Sequence, residues 1–385
     1  MSLRDDLLNF LTIISLNKQL RGRNMWHLKT EDGSTGRLLQ LVFGYFFFYV
    51  ITGLSVKYFQ NIAGMHSMEY LVYSTASSTL LATTVVLVLR WYKLQSVRLT
   101  KVGSVTFPSE LYYIIPSGVM TAVVVPTTTL LYSFEGISVM VAMTIMRGSV
   151  IIIGRIVDSI QIKKGILNKK VYLEENMGVI FAVLAVGLKV LTGGRDGGAN
   201  PLTSVPVMVI FTSYIIAYAI RIYIMNYYKN TRPRRSKVDN NKAFFAIEQF
   251  ASTVTIWLVA LIILIVAIRT DAVGTRITPY VNAFKNPVSG FGWTMFWGAA
   301  FGIVAFFSVF LFMFKGRTAT FSGLVNRLTS LIAGTTSTLL FALIWGGRWP
   351  ALVDWISLLL IFVAVAFLTK AEKKRALELK VKHEI

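Results

Sequence analysis

Along this chain apolar residues gather into runs of about 20, the length at which a helix rising ~1.5 Å per residue crosses the ~30 Å of a bilayer's hydrocarbon. Ten stretches answer to this pattern: 36–58, 69–92, 108–132, 136–160, 173–192, 203–228, 242–268, 292–314, 318–345 and 350–369. They take up nearly the whole sequence and leave no room for a large soluble domain. The expected fold class is an all-α integral membrane protein with ten transmembrane helices. Pro116 and Pro126 interrupt the third run, a break that helices packed inside a bundle tolerate. Residues 1–35 hold no apolar core of the kind a cleaved signal peptide requires. They hold only the short LLNFLTIISL, Leu7 to Leu16, which reads as an amphipathic helix lying on the membrane surface.

Composition narrows the chemistry. Of the 385 residues 55% are hydrophobic and 15% charged, a membrane protein's balance. There is no cysteine, which removes disulfides and thiolate metal sites. The three histidines, His27, His66 and His383, lie outside the spans, so a buried zinc or haem site has almost nothing to be built from. No metal or other cofactor is expected.

The formal charge of +21 points to nucleic acid until its placement is considered. With an inside N-terminus, 28 of the 39 Lys and Arg sit in, or at the edges of, the tails and loops 2-3, 4-5, 6-7 and 8-9. Six sit on the other side and five within spans. That bias is the positive-inside signature, and it places both termini in the cytoplasm. The densest run, Lys229 to Lys242, reads as a solvated loop that fixes topology; no aromatic residues interleave its charges to make a nucleic-acid stacking platform. The expected location is a multi-pass protein of the cell (inner) membrane or an endomembrane, its tail 371–385 basic and cytoplasmic.

A cut in GGRDGGANP, Gly193 to Pro201, leaves 36–193 and 201–370, five spans each. Because five is odd, the second unit enters the membrane upside down relative to the first, a 5+5 inverted repeat. IMRGSVIIIG, Ile145 to Gly154, lies over VNRLTSLIAG, Val325 to Gly334, with Arg147 over Arg327, Ser149 over Thr329 and Gly154 over Gly334. Spans 5 and 10 each carry a carboxylate near the start, Glu174 or Glu175 and Asp354.

Both arginines fall near mid-bilayer, where a guanidinium costs at least about 2.5 kcal/mol to insert, so both are expected to face the bundle interior or a wet cavity. Inverted repeats bring equivalent positions together at mid-depth, where repeat-built transporters keep their substrate site. Arg147 and Arg327 are therefore read as an anion clamp, their planar forks offering bidentate hydrogen bonds to carboxylate or phosphate. The bland alternative for each is a structural arginine bonded to carbonyls or to an acidic neighbour. Ser149, Thr329 and Asn326 accompany them as candidate ligand groups.

Other polar groups recur at helical spacing. Tyr214, Tyr218 and Arg221 stand at i, i+4 and i+7 of span 6, and Tyr45, Tyr49 and Thr52 form a similar stripe on span 1. Each stripe is a candidate cavity lining, with rings available for stacking on a base or sugar, while Tyr223, Tyr227 and Tyr228 read equally as an interfacial aromatic belt. Glu248 either carries a coupling proton or pairs with Arg221. Arg155 and Asp158 read as an intrahelical pair, and Lys189 as a side chain snorkelling to the interface. GAAFG, Gly298 to Gly302, allows close helix approach. VVVPTTTLLY offers a freed carbonyl and three threonine hydroxyls near Pro126 as a hinge or cavity wall.

Motifs for chemistry are missing: no GxxxxGK[ST] phosphate loop, no HExxH and no GxSxG. No short repeated pore segment suggests a channel filter. The reading is therefore not an enzyme but a secondary active transporter of an organic anion, a small-molecule substrate such as a phosphorylated or nucleotide-linked metabolite. Other readings are an exporter of amino acids, other metabolites or lipid precursors, a cation exporter built on a carboxylate such as Glu248, and a membrane-embedded transferase or assembly subunit acting on a lipid-linked phosphate.

Ten spans, cytoplasmic termini, the 5+5 duplication and the arginine regions of spans 4 and 9 together resemble the drug/metabolite transporter superfamily. Ile145 to Ile166 looks most like the fourth-helix region of its nucleotide-sugar and related solute-carrier branches, and Val325 to Leu358 is similar to the second copy. The resemblance spans about residues 36 to 370. It implies that spans 1–4 and 6–9 enclose a central cavity, with spans 5 and 10 outside, often at a dimer contact, so that the protein is a monomer or a homodimer in the bilayer. It also implies rocking of the two halves between alternating openings. Where nucleotide-sugar transporters carry an Asn-Lys signature, this chain reads Asn326-Arg327.

Overall fold

A helix in hydrocarbon satisfies its own backbone, and every long apolar run of this chain resolves into one. The computed structural model describes residues 35–94, 96, 99–134, 137–167, 170–192, 204–231, 241–312, 319–347 and 349–384. Its helices are α1 (Thr35–Asn61), α2 (Ser67–Val88), α3 (Leu111–Ser133), α4 (Val139–Lys163), α5 (Leu173–Thr192), α6 (Val205–Thr231), α7 (Asn241–Arg269), α8 (Ile277–Lys285), α9 (Phe291–Phe312), α10 (Ala319–Trp345) and α11 (Leu352–Glu384). All but the short α8 are long and apolar enough to cross a membrane, which gives ten candidate spans among the described residues. The proposed surface helix at Leu7–Leu16, the cut at Gly193–Pro201 and most of the basic run at Lys229–Lys242 lie outside the described residues.

Local chemistry explains the boundaries. His66 caps α2: its Nδ1 accepts from the Met68 amide at 3.1 Å, and Glu69 accepts in return from the His66 amide at 3.0 Å. Ser138 caps α4 by accepting from the Val141 amide. Pro116 and Pro126 both sit within a continuous α3. The hydroxyls of Thr127, Thr128 and Thr129 are turned back onto the carbonyls of Val123, Val124 and Val125, so they support the helix at its proline and are not the freely offered groups the sequence suggested. The last helix runs on through the basic tail to Glu384, past the end of the apolar run at 369.

Two elements were not anticipated. Between α2 and α3 a hairpin pairs β1 (Leu99–Val102) with β2 (Val105–Pro108), antiparallel, Val102 opposite Val105. Gly103 takes φ +60° at the first central position of the two-residue loop, a conformation that costs glycine little. Between α7 and α9, α8 is tied to α2 because the Tyr73 hydroxyl donates to the Ala283 carbonyl and accepts from the Val288 amide.

The bundle is built from close helix pairs. α5 lies along α11, α4 along α10, α2 along α9 and α3 along both α6 and α7; α1 packs on α9 and α10, and α6 on α4. GAAFG does what its spacing predicts: a Cβ on Gly298 would come within 2.6 Å of the Ser74 Cα, and one on Gly302 within 2.5 Å of the Ser78 carbonyl. Close approach without side chains gives dispersion contact along the whole seam of α2 and α9. Along α5 and α11, Gly178 sits against the Ala364 carbonyl, and ion pairs close both ends: Glu174 with Lys374, Lys189 with Asp354. Lys189 thus corrects the snorkelling expectation. Its side chain is 8% exposed and held by a buried carboxylate on a helix distant in sequence.

Candidate functional site

The two tyrosine stripes meet. Spacing of i and i+4 puts Tyr45 and Tyr49 on one face of α1, and Tyr214 and Tyr218 on one face of α6, with the rings of each pair 5.2 and 5.3 Å apart. Both pairs line a cavity of about 90 Å³, together with Arg147 of α4, Arg221 of α6 and Glu248 and Gln249 of α7. Ser78 and Thr79 of α2, Thr121 and Thr128 of α3, and Phe301, Gly302 and Ser308 of α9 complete much of the wall. Ala82, Arg221, Phe245 and Val309 extend the cavity toward the end of the bundle that carries the basic loops, while Thr128 and Arg147 lie beyond the middle of their helices, at its far end.

Two guanidinium groups on this wall are in opposite electrostatic situations. Arg221 donates to Glu248 through Nε at 2.9 Å and through the terminal nitrogen Nη2 at 3.0 Å, a two-pronged pair. Glu248 also accepts from the Ser117 hydroxyl at 2.6 Å and the Thr121 hydroxyl at 3.2 Å. Four donors converge on one buried carboxylate, so the charges cancel and the desolvation of both is compensated. Glu248 is thus partnered by Arg221, one of the two roles the sequence leaves open to it.

Arg147 has no carboxylate among its described partners. Its Nη2 donates to the Tyr49 hydroxyl at 3.0 Å and the Tyr45 hydroxyl at 3.4 Å, and its Nε is buried without a partner. Tyr49 passes the chain to Tyr132 at 2.9 Å, and Tyr132 to the Met143 sulfur. Tyr45 passes it to the Asn326 carbonyl oxygen at 3.4 Å, and Asn326 in turn donates to Ser308 at 3.1 Å. Neutral hydroxyls orient the guanidinium but leave its charge in place. A buried guanidinium held by hydroxyl dipoles, with its Nε unpartnered, keeps its positive charge on the cavity wall.

Other candidates are placed differently. Asn326 is fully buried one step behind the wall, holding Tyr45. Thr329 bonds back to the Val325 carbonyl within its own helix, and Ser149 is buried outside the lining. Arg327 is not on this cavity. Its guanidinium lies across Gly154, where an added Cβ would meet a terminal nitrogen at 3.1 Å, and its Nε is buried without a hydrogen bond. The clamp expected from two arginines closing on one chamber is therefore not what the structure brings together: Arg327 rests on α4 at Gly154, two turns along the same helix face from Arg147. Arg155 donates to Ser159 at 3.0 Å and Asn176 at 3.3 Å, contacts the sequence reading with Asp158 did not include. Thr52 bonds back to the Phe48 carbonyl and takes no place on the wall.

Sequence reasoning missed Tyr132, Ser117, Thr121 and Ser308. Ser117 and Thr121 stand at i and i+4 of α3, a polar stripe like those on α1 and α6, but the prolines on that run drew attention to its breaks instead. Searched against family models and curated proteins, the chain finds no match.

Proposed function

We propose that this protein is a secondary active transporter that moves a small organic anion by alternating access, with Arg147 as the anion-binding group. One observation carries the reading: Arg147 sits buried on the wall of a mid-bundle cavity with hydroxyl partners and no carboxylate partner among the described residues. With Arg221 neutralised by Glu248, the described lining holds one net positive charge, which a single carboxylate or phosphate oxygen pair would meet. At about 90 Å³ the cavity is well below the ~300–1,000 Å³ of sites for drug-sized ligands. A small anion suits it; a nucleotide-linked metabolite needs a wider opening.

Packing supports the 5+5 inverted repeat of units 36–193 and 201–370. Exchange each span with the one five further on, and the helix pairs reproduce one another: α1 on α10 answers to α6 on α4, α1 on α9 to α6 on α3, and α2 on α9 to α7 on α3. The pairs α4 with α10 and α5 with α11 answer to themselves. Such symmetry suits a site at mid-depth opened from either side by rocking, in the manner of the drug/metabolite transporters that the sequence resembles. Both termini are then cytoplasmic, and the cavity opens toward the cytoplasm.

The test is ligand-dependent stabilisation followed by flux. Purified protein is screened by thermal shift against carboxylates, amino acids, sugar phosphates and nucleotide sugars, since a ligand of the folded state raises apparent stability. The best is loaded into proteoliposomes. Recovery of unchanged substrate across the membrane, abolished in Arg147→Gln, supports the reading; stabilisation by no anion, or chemically altered substrate, overturns it.

A further inference from the structure

Arg327 is left over by the site just described. It is a charged side chain set into the apolar bundle, its Nε is buried, and its guanidinium has no hydrogen-bond partner among the described residues. The residues within its electrostatic reach are Tyr218, Tyr214, Asp158 and Arg147. Tyr214 and Tyr218 are the same two side chains that line the cavity from the other flank, and neither hydroxyl has a hydrogen-bond partner among the described residues.

The two halves of the chain hold equivalent parts in different states. Arg147 stands to Tyr45 and Tyr49 of α1 as Arg327 stands to Tyr214 and Tyr218 of α6: an arginine on the fourth span of each unit, and a Tyr-x-x-x-Tyr pair on the first. In the first unit the set is joined, with Arg147 donating to both tyrosines. In the second it is parted, with Arg327 lying across Gly154 instead. Gly334, the counterpart of Gly154, is covered by Met143 and not by Arg147. Depth is also mirrored. Arg147 is nine residues into a helix that descends toward the basic side and so stands above the middle; Arg327 is nine residues into one that ascends from it and so stands below.

Resting on the transporter reading above, we infer that Arg327 with Tyr214 and Tyr218 is the anion-binding centre of the opposite-facing conformation, a second station equivalent to Arg147 with Tyr45 and Tyr49. When the halves exchange conformations, Arg327 swings off Gly154 to the open hydroxyls of Tyr214 and Tyr218 and becomes the end of a cavity facing away from the basic loops. Arg147 then parts from its own tyrosines. The anion is held by one arginine at a time, each belonging to one opening. A bridge of two arginines at once has no place in the cycle.

The natural absence of cysteine makes this directly measurable. Arg147→Cys and Arg327→Cys are reconstituted in vesicles captured through a C-terminal tag, which turns the basic face outward, and exposed to the membrane-impermeant anionic reagent 2-sulfonatoethyl methanethiosulfonate, added outside or trapped inside. Arg147→Cys is expected to react at least tenfold faster from the basic face, and Arg327→Cys at least tenfold faster from the other. Gly154→Cys, at the position that Arg327 covers here and leaves when it swings away, keeps the test open should Arg327→Cys fail to fold, and it should follow Arg327→Cys. Reaction of Arg147→Cys from the basic face with Arg327→Cys and Gly154→Cys silent, or reactive only from that same face, overturns the second station and leaves the transporter standing. Silence of all three from both faces overturns the transporter reading itself.

Discussion

Arg221 and Glu248 meet in a two-pronged ion pair on the cavity wall, while Arg147, on the same wall, meets the hydroxyls of Tyr45 and Tyr49 and the Tyr49 ring. The difference sets what each residue can be asked to do. A buried pair whose lone pairs are filled by Ser117 and Thr121 is a scaffold joining α3, α6 and α7.

Glu248→Gln should therefore be among the most damaging single changes. It leaves the Arg221 guanidinium buried against a neutral amide, a loss of about 3–5 kcal/mol when one partner of a buried pair is removed. The double variant Arg221→Met with Glu248→Leu should recover most of that stability, because apolar side chains of similar volume carry no desolvation cost. Unfolding of the purified variants in detergent measures both, and a double variant no more stable than the single change would show that the ion pair itself is needed.

Arg147 and Tyr49 should separate charge from orientation. Tyr49→Phe deletes the closest acceptor of the guanidinium but keeps its charge, so anion binding should weaken by about tenfold, on the scale of ~1.5 kcal/mol for a hydrogen bond to a charged group. Arg147→Gln removes the charge and should weaken binding by about a hundredfold or more. Isothermal titration with the best anion from the stability screen distinguishes them; equal losses in the two variants would mean that the hydroxyl network, and not the positive charge, recognises the ligand.

The ten spans were readable because bilayer thickness imposes a length on every run and leaves little else to decide. Tyr45, Tyr49, Tyr214 and Tyr218 were readable as stripes, since helical spacing fixes which residues share a face. What the stripes faced was not. Lys189 looked like a side chain reaching for the interface because its partner, Asp354, belongs to a helix more than 160 residues away in the chain. Arg327 was drawn onto the cavity by its alignment with Arg147, yet the pairing of two sequence windows says nothing of where a long side chain turns, and the guanidinium lies across Gly154 instead. The hairpin at Leu99–Pro108 and the short α8 are too short to leave a run of membrane length in the sequence.

Glycines at two seams give a contrast in packing. Gly302→Ala drives a methyl to within 2.5 Å of the Ser78 carbonyl, rigid backbone that moves only if α2 and α9 part. Gly154→Ala meets the terminal nitrogen of Arg327 at 3.1 Å, the far end of a long side chain that can shift. Overpacking of the first kind costs about 1–3 kcal/mol, whereas Gly154→Ala should be close to neutral or gain from better helix propensity. Thermal unfolding of the two single variants is the measurement, and a Gly302→Ala protein as stable as the parent would mean that the α2–α9 seam is looser than its geometry.

The two ion pairs between α5 and α11 should be unequal. Lys189 and Asp354 are 8% and 9% exposed, while Lys374 is 48% exposed against a Glu174 at 12%. Lys189→Met abandons a carboxylate that is buried and that also accepts from the Ala351 amide at the start of α11. That loss belongs to the several-kcal/mol class of broken buried pairs. Lys374→Met removes a partner already half in solvent, where screening and side-chain freedom leave the pair little to contribute. Raised salt should erode the second pair and spare the first. Unfolding midpoints of both variants at low and high ionic strength test this, with Lys189→Met expected to fall far below Lys374→Met at either salt. Equal midpoints would place water at the Lys189 end of the helix pair and make both latches surface features.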